Sequence, residues 1–431
     1  APPRPPAAPR GGLRVCVRKR PLLGFELRAG AWDAVEVLRR DGAVLCHDGR
    51  LSRSGRQLLM THRRFGVDGV WGAAAPTEEV YGDAVRPLFA AAAEGGGATL
   101  LCMGQTGTGK THTICGVAAC LARDLAALGQ DASIDFFEIY GKKCCDLLSQ
   151  RGEVHLRSDE SGRVRVRGHR TAQLPAGHGF GELVGEAMKL RASESTERNE
   201  ASSRSHAVCT LRLHGTGGTL RLVDLAGSER NFETTKMTAQ QHRDSAEINF
   251  SLMVLKDCFR GHAAAQRGEA ALLPFRRSQL TRVLQECFLD AQHATVVIAT
   301  ISPAAADVIH TVNTLNHVTM LAKPLADLVS HCAMDIPLHL KGSGAFRDVP
   351  VQDWTPEDVR TWLQEAEDGR FAHVVVPPAL TGRALLSTSA QGLADVFEGE
   401  LRRARVDVEG EAWNIQADEV GQDLGRAIFA A

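Results

Sequence analysis

Residues 99–113 read TLLCMGQTGTGKTHT, and this stretch decides how the rest of the sequence is interpreted. Its apolar first part is typical of a buried strand, and its second part fits the pattern G-x-x-x-x-G-K-[ST], with a helical pattern after it. Glycines allow backbone N–H groups to close around phosphate oxygens, Lys110 brings a cation to the β- and γ-phosphates, and the Thr111 hydroxyl can bind Mg²⁺. The following helix adds the positive end of its dipole. The stretch predicts a nucleoside-triphosphate site and leaves the NTPase class open.

On both sides of this loop, short apolar runs alternate with helical patterns between Leu13 and Lys323. This alternation predicts an α/β domain. The predicted strands are 13–17, 99–103, 134–140, 207–213, 219–225 and 294–301. The predicted helices are 111–125, 181–190, 245–260 and 278–289.

Composition excludes several classes of protein. With 431 residues, 44% of them hydrophobic and 23% charged, the chain is neither largely disordered nor collagen-like, and its length suggests more than one domain. No apolar run is long enough for a membrane span, and the first residues lack a signal-peptide core, so we expect a soluble, intracellular protein. The chain begins without Met, which suggests further sequence upstream. Eleven cysteines without a C-x-x-C pair predict reduced thiols and no metal cluster.

Charge is unevenly distributed along the chain. The net charge is -1, but 15 acidic and 7 basic residues lie after residue 350, which leaves about +7 before it. A basic larger part indicates an acidic partner, and charge alone fits nucleic acid, a membrane or a protein surface equally well.

Two further segments bear on the nucleotide site. Residues 199–206 read NEASSRSH, a polar stretch that ends where an apolar strand begins; it is either a loop at the nucleotide or an ordinary Ser-rich loop. Residues 223–229 read VDLAGSE, which places Asp224 at the carboxyl end of a strand, where α/β sheets bind ligands. Asp224 suits a water-mediated Mg²⁺ contact, although an acidic residue after a strand is also a common helix cap. Gly227 can approach a phosphate through its backbone.

Together the three segments resemble the P-loop, switch I and switch II of the kinesin motor domain. The resemblance covers about residues 13–323. It includes VRKRP (17–21), EINFSL (247–252), LLPFRRSQLTRVL (272–284), ATISP (299–303) and NTL (313–315). It implies a P-loop NTPase fold of the α/β class and an enzyme that hydrolyses ATP with Mg²⁺. It also implies that the partner is tubulin, and not nucleic acid or a membrane, and that the protein acts in the cytoplasm on the cytoskeleton. Another P-loop enzyme, such as a kinase, lacks support because no substrate-phosphate lid is visible.

The resemblance also implies roles for individual residues. Those that frame the adenine are Arg18, Arg20, Pro21 and His112. Those around the phosphates are Gly104, Gln105, Thr106, Gly107, Thr108, Gly109, Lys110 and Thr111. The Mg²⁺ residues are Thr111, Ser203 and Asp224. Ser202 and Ser203 would order the attacking water, Arg204 and Glu229 would form the ion pair that closes switch I on switch II, and Gly227 would sense the γ-phosphate. Positioning and electrostatic stabilisation are the main demands of phosphoryl transfer, so such groups suffice. Helix 245–260 is the expected relay of the switch signal.

Three segments look most like the kinesin-13 group, which removes tubulin from microtubule ends and does not walk: VCVRKRPL (15–22), FFEIYGKKCCDLL (136–148) and LKDCFR (255–260). The Lys-Val-Asp motif of that group is absent near residues 53–55, although the loop is basic. Phe250 stands where the family usually has Lys, and residues 316–320 read NHVTM where it usually has a sequence like RYADR. These departures suggest an altered microtubule response. The predicted microtubule-binding residues are Arg53, Arg56, Lys256, Arg276, Arg277 and Arg282.

The sequence predicts a flexible lead-in at residues 1–12, the motor domain at 13–323 and a linker at 324–347. Residues 348–415 are predicted to form a small all-α domain that resembles a SAM domain, and a tail follows at 416–431. Trp354, Trp362 and Gly382 contribute to that pattern, which implies homotypic or heterotypic assembly. An unrelated helical subdomain is the alternative. The sequence thus predicts a kinesin-13-like ATPase that acts at microtubule ends. The alternative function is a weakly active microtubule-binding scaffold that assembles through the SAM-like domain.

Overall fold

The structure is a computed structural model, and it describes residues 12–51, 57–160, 164–193, 205–228, 239–321, 329–335, 350–365, 376–377, 379–388, 392–393 and 395–396. Six of the predicted site residues lie outside these ranges: Arg53, Arg56, Ser202, Ser203, Arg204 and Glu229. No helix in the described part of the chain is both long enough and apolar enough to span a membrane.

The strands are β1 Gly12–Lys19, β2 Val35–Leu38, β3 Ala43–Leu51, β4 Gln57–Gly66, β5 Gly69–Trp71, β6 Gly97–Met103, β7 Ala132–Tyr140, β8 Lys143–Asp146, β9 Glu153–Ser158, β10 Val164–Arg167, β11 Ala172–Leu174, β12 His206–Leu213, β13 Thr219–Asp224, β14 Ala294–Ile301 and β15 Val329–Asp335. The α-helices are α1 Gly24–Arg28, α2 Thr77–Val80, α3 Arg86–Ala93, α4 Lys110–Leu128, α5 Phe180–Ser193, α6 Ala239–Gln266, α7 Gln279–Val283, α8 Glu286–Leu289, α9 Val308–Val318, α10 Pro356–Glu365 and α11 Gly382–Ser387. Short 3₁₀ turns include Phe275–Arg277 and Thr319–Leu321, and Tyr81–Val85 forms a π-helical turn.

The described residues form two compact units, the first drawn from 1–21, 33–46 and 63–328, and the second from 22–32, 47–62 and 329–431. The second unit therefore combines segments that are distant in sequence, which a reading of contiguous domains does not anticipate. The predicted boundaries at 323 and 348 stay predictions.

A large mixed sheet organises the first unit, in the order β10-β9-β8-β7-β12-β13-β6-β14-β1-β5, with β11 paired to β7. Strand β6 lies between two parallel neighbours, because Leu101 is paired with Val223 of β13 and with Val297 of β14. Strand β1 continues the parallel set beyond β14. The carboxyl ends of parallel strands meet at one edge of a sheet, so the segments that follow β6, β13 and β14 converge there.

Both faces of this sheet are covered by apolar side chains. Leu101 and Met103 of β6 belong to one buried cluster, whereas Leu100 and Cys102 belong to the cluster on the other face. This division follows from the two-residue period of a strand. All eight residues of β14 are buried, as expected for a parallel strand that helices cover on both sides. The α/β class predicted from the sequence is confirmed.

Three element predictions need correction. The single helix predicted at 278–289 is two short helices, because the backbone leaves helical geometry at Leu284. The predicted helix 245–260 is longer and spans Ala239–Gln266. The predicted linker 324–347 contains β15, whose His331 Nδ1 lies 3.2 Å from Thr61 Oγ1 within the second unit. Tertiary pairing of this kind has no local signal in a sequence.

The C-terminal part of the second unit has a small core of its own: Trp354, Val359, Leu363, Val376, Leu380 and Leu393. Gly382 begins α11 where a Cβ would overlap the carbonyl oxygen of Val351, and its N–H donates to the Trp354 carbonyl at 3.1 Å. A side chain at this position would separate the two segments. The SAM-like domain itself stays a prediction.

Candidate nucleotide site

The loop between β6 and α4 is built on close backbone packing. Gly104 has a φ of 152°, and a Cβ there would overlap the carbonyl oxygen of Thr300. Thr108 is buried, and its hydroxyl lies 2.7 Å from both the Gln105 carbonyl oxygen and the Thr300 Oγ1. Gly107 and Gly109 adopt φ values of 79° and 97°, which residues with an L side chain rarely adopt. The predicted phosphate loop is therefore a fixed turn at the sheet edge.

Lys110 is buried at the first position of α4. Its Nζ donates to the carbonyl oxygens of Gly104 and Gln105 at 3.0 and 2.9 Å. These bonds hold the ammonium within the turn, where a cation and helix-terminal N–H groups attract an anion. The arrangement suits a phosphate chain.

Asp224, at the end of β13, forms the second part of the site. Its Oδ2 accepts from the Thr111 hydroxyl at 2.6 Å, and its buried Oδ1 has no hydrogen-bond partner among the residues that the structure describes. A carboxylate and a hydroxyl side by side are the hard oxygen donors that Mg²⁺ prefers. The residues present therefore fit the ion, and the predicted roles of Thr111 as a direct ligand and of Asp224 as a ligand through water stay predictions. No cluster of three His, Cys, Asp or Glu side chains that could hold a metal occurs within the described ranges.

Arg191 is a site residue that the sequence analysis missed. It lies in the last turn of α5, and its Nη1 is 2.6 Å from Asp224 Oδ2, with both side chains only 2% exposed. The same guanidinium donates to the Ser205 carbonyl and hydroxyl oxygens at 2.6 and 3.2 Å. In sequence, an arginine at a helix C-terminus reads only as a favourable charge for the helix dipole. In the structure, it anchors the carboxylate of the candidate metal site.

His206 is a second missed residue. It is buried at the start of β12, and its Nδ1 accepts from the Ala226 N–H at 3.0 Å. The other ring nitrogen must then carry the proton, so Nε2 donates to Ser251 Oγ at 2.8 Å, and Ser251 donates to the Ile248 carbonyl at 2.7 Å. Burial, aided by the cations Arg191 and Lys110, lowers the pKa of His206 to about 3. A neutral histidine thus links the end of β13 to helix α6.

The predicted adenine-side residues have partners within the protein. Arg18 donates to the hydroxyls of Thr113 and Thr77 at 3.1 and 2.9 Å, and burial lowers its pKa. Arg20 donates to the Gly107 carbonyl at 2.9 Å and to the hydroxyl of Ser302 at 2.9 Å. These bonds tie the end of β1 to the phosphate loop.

The other two residues of that group are exposed. His112 lies on the first turn of α4, and Pro21 follows β1 and accepts from Arg20 Nη1 at 2.9 Å. Of the four residues, Arg20 contacts the loop directly and His112 follows it on α4, and the contact of all four with adenine stays a prediction.

Gly227 is buried beside the loop, and the N–H of its neighbour Ser228 donates to the Gly104 carbonyl at 3.1 Å. The structure thus joins the segment after β13 to the phosphate loop, and the role of Gly227 as the γ-phosphate sensor stays a prediction. Thr106 lies exposed on the same loop.

The predicted microtubule-binding residues within the described ranges have different surroundings. Arg276 and Arg277 are exposed on the turn Phe275–Arg277, and Lys256 is half-buried on α6. Arg282 instead donates to Gln279 Oε1 at 2.9 Å and to the Leu156 carbonyl at 3.4 Å, so much of its hydrogen-bonding capacity is used internally.

Residues 18–323 match the model of the kinesin motor domain. The chain is 36% identical over 330 residues to diatom spindle kinesin-1 from Cylindrotheca fusiformis and 34% identical over 339 residues to the kinesin-like protein KIF24 from Mus musculus, with 74% of this chain aligned in each case. It spans about half the length of the first relative and a quarter of the second, at 51% and 24%.

Among solved structures, the chain is similar to KIF14 residues 391–772, described as a dimer in a two-heads-bound state with AMP-PNP in complex with a microtubule. The TM-score is 0.60 at 26% identity, with coverage of 73% of this chain and 94% of that chain. Kinesin motor domains are microtubule-stimulated ATPases, so the predicted enzyme class is that of the matched family. Because residues 18–323, well over half of the chain, match the kinesin motor domain, and a phosphate loop stands between β6 and α4, the chain belongs to the kinesin family.

Proposed function

We propose that this chain hydrolyses ATP with Mg²⁺ and that microtubules or free tubulin stimulate the reaction. The observation that carries the proposal is the cluster at one sheet edge: Lys110 within the phosphate loop and Thr111 bonded to a buried Asp224 that keeps one oxygen unbonded among the described residues. Mg²⁺, when bound, would supply positive charge that neutralises the phosphates. Thr111 and Asp224 would hold the ion, and Lys110 would place its cation on the phosphates.

The sheet edge also suggests how nucleotide state would reach the rest of the motor. His206 contacts the Ala226 N–H on one side and Ser251 of α6 on the other. A shift of the segment after β13, which contacts the phosphate loop through Ser228, would therefore move α6. These contacts support α6 as the relay helix, because they would give a change at the nucleotide a hydrogen-bonded path to α6.

We further propose a kinesin-13-like action at microtubule ends, by depolymerisation or length control without walking. Its support is the resemblance of residues 15–22, 136–148 and 255–260 to that group, together with the similarity to a kinesin-like protein and to a motor solved on a microtubule. The SAM-like domain at 348–415 would mediate assembly, and the protein would act on cytoplasmic microtubules.

Steady-state phosphate release with and without microtubules or tubulin tests the first proposal. A rise in the rate supports a stimulated ATPase, whereas a rate that responds to neither favours the scaffold alternative. Stabilised fluorescent microtubules with the protein and ATP test the second proposal. They shorten at their ends if depolymerisation occurs, and gliding on a protein-coated surface would contradict it.

A further inference from the structure

The exposed face of helix α6 carries large apolar side chains beside cations. Phe250 and Met253 lie three residues apart, hence on one side of the helix, and are 39% and 42% exposed. Leu272, in the loop that crosses α6 at Gly261, is 88% exposed. Leu272 therefore lies about 16 Å along α6 from Phe250, and we define Phe250 and Met253 alone as the apolar ridge.

Two arginines border this ridge and stack on aromatic rings. The guanidinium carbon of Arg277 lies 5.4 Å from the centre of the Phe250 ring, and that of Arg276 lies 5.7 Å from the centre of the Phe275 ring. Cation–π contacts of this kind hold a guanidinium over a ring face while its edge still reaches outward. In the described part of the chain, neither arginine has a carboxylate partner.

The surrounding charge is positive. Residues 246–284 contain six basic and three acidic side chains, and two of the acids already pair with neighbours, Asp257 with Arg260 at 2.7 Å and Glu269 with Arg267 at 2.6 Å. The net field of this surface therefore favours an acidic partner. An exposed aromatic side chain inside a cationic rim is the arrangement of a binding hot spot, where the centre is desolvated and the rim guides the encounter.

We propose that Phe250, supported by Met253, is an apolar anchor that this chain inserts into an acidic protein surface, with Arg276 and Arg277 as its electrostatic rim. Under the proposed function, on which this inference rests, that surface is the microtubule wall. A lysine at position 250 would contribute a screened charge, whereas phenylalanine contributes apolar area that salt does not screen. The anchor therefore gives binding a component that survives at high ionic strength.

Co-sedimentation of the full chain with stabilised microtubules, in AMP-PNP at 50 and 200 mM salt, tests the anchor. We expect Phe250→Ala to raise Kd about 30-fold at both salt concentrations, which is the lower limit for a hot-spot truncation. Phe250→Lys should bind well at low salt and lose affinity more steeply with salt than the unmodified chain. Ile309→Ala, at a 50% exposed position on α9, is the matched control and should stay within about 2-fold.

The possible outcomes distinguish failure of the Phe250 anchor from failure of the proposed function. If the unmodified chain binds microtubules and Phe250→Ala binds equally well, the anchor is refuted and the proposed function stands. If the unmodified chain binds neither microtubules nor tubulin at either salt concentration, both are overturned. Equal salt dependence of the unmodified chain and Phe250→Lys would also refute the anchor. Met253→Ser should weaken binding in the same salt-independent way, which supports the ridge without altering the ring.

Discussion

Replacing Arg191 by methionine should destabilise the first unit strongly. The change keeps an apolar stem of similar length but removes the cation that lies 2.6 Å from Asp224 Oδ2, and both side chains are 2% exposed. It also removes the donors to the Ser205 carbonyl and hydroxyl oxygens. Breaking a buried ion pair from one side leaves an unpaired buried charge, which costs about 3–5 kcal/mol. That loss is a large share of the roughly 5–15 kcal/mol that stabilises a typical folded domain.

A matched control is available on the surface of the same unit. Arg260 Nη1 lies 2.7 Å from Asp257 Oδ1, a similar distance, but the two side chains are 53% and 34% exposed. Solvent screening reduces such a pair to about 0.2–1 kcal/mol. Arg260→Met should therefore lower the free energy of unfolding several-fold less than Arg191→Met, although the two substitutions are chemically identical.

Urea denaturation of the nucleotide-free chain, followed by tryptophan fluorescence because Trp71 is buried in this unit, measures the difference. A second variant, Arg191→Met with Asp224→Asn, removes the unpaired charge as well and should recover more than about 1 kcal/mol relative to Arg191→Met alone. Equal losses for Arg191→Met and Arg260→Met would refute the reasoning. The reasoning would also be refuted if the double variant lost more free energy of unfolding than Arg191→Met and Asp224→Asn lose in sum.

Three further predictions concern the nucleotide site. Lys110→Ala should abolish nucleotide binding, whereas Glu229→Ala should bind ATP without hydrolysing it. Titration with a fluorescent nucleotide measures binding, and phosphate release measures hydrolysis, so the two assays distinguish the two variants. Normal turnover by both variants would contradict the assigned roles. Gly104→Ala should lower the melting temperature because its Cβ would overlap a carbonyl oxygen, while Gly185→Ala, in open space on α5, should leave it equal or higher. Between pH 3 and 6.5, stability should fall as the pH drops, because buried His206, with a pKa of about 3, stays neutral while the unfolded chain binds a proton. One buried neutral histidine changes the free energy of unfolding by at most about 1.4 kcal/mol per pH unit. The urea midpoint of His206→Gln should therefore depend less steeply on pH than that of the unmodified chain. An unchanged pH dependence would contradict the burial of a neutral His206.

The phosphate loop was predictable from the sequence because its chemistry is contiguous. Gly104, Lys110 and Thr111 act within one turn, and the strand and helix on either side have strong local patterns. The six principal strands were also predictable, since a strand that is buried on both faces is a continuous apolar run, whether its neighbours are parallel, as for β14, or antiparallel, as for β7. Asp224 was identified because it directly follows such a run.

Tertiary structure alone decided what surrounds that carboxylate. Arg191 lies 33 residues before Asp224, and Ser251 lies 45 residues after His206, so no local spacing brings either pair together. The pairing of β13 with β6 and β12 places His206 beside the segment after Asp224, and the positions of α5 and α6 against the sheet bring Arg191 and Ser251 to these two residues. The same holds for Phe250 and Arg277, whose stacking depends on how the turn Phe275–Arg277 packs on α6. Sequence determines the chemistry of contiguous residues, whereas the order of strands and the packing of helices determine which distant side chains share a buried site, where an unpaired charge is costly.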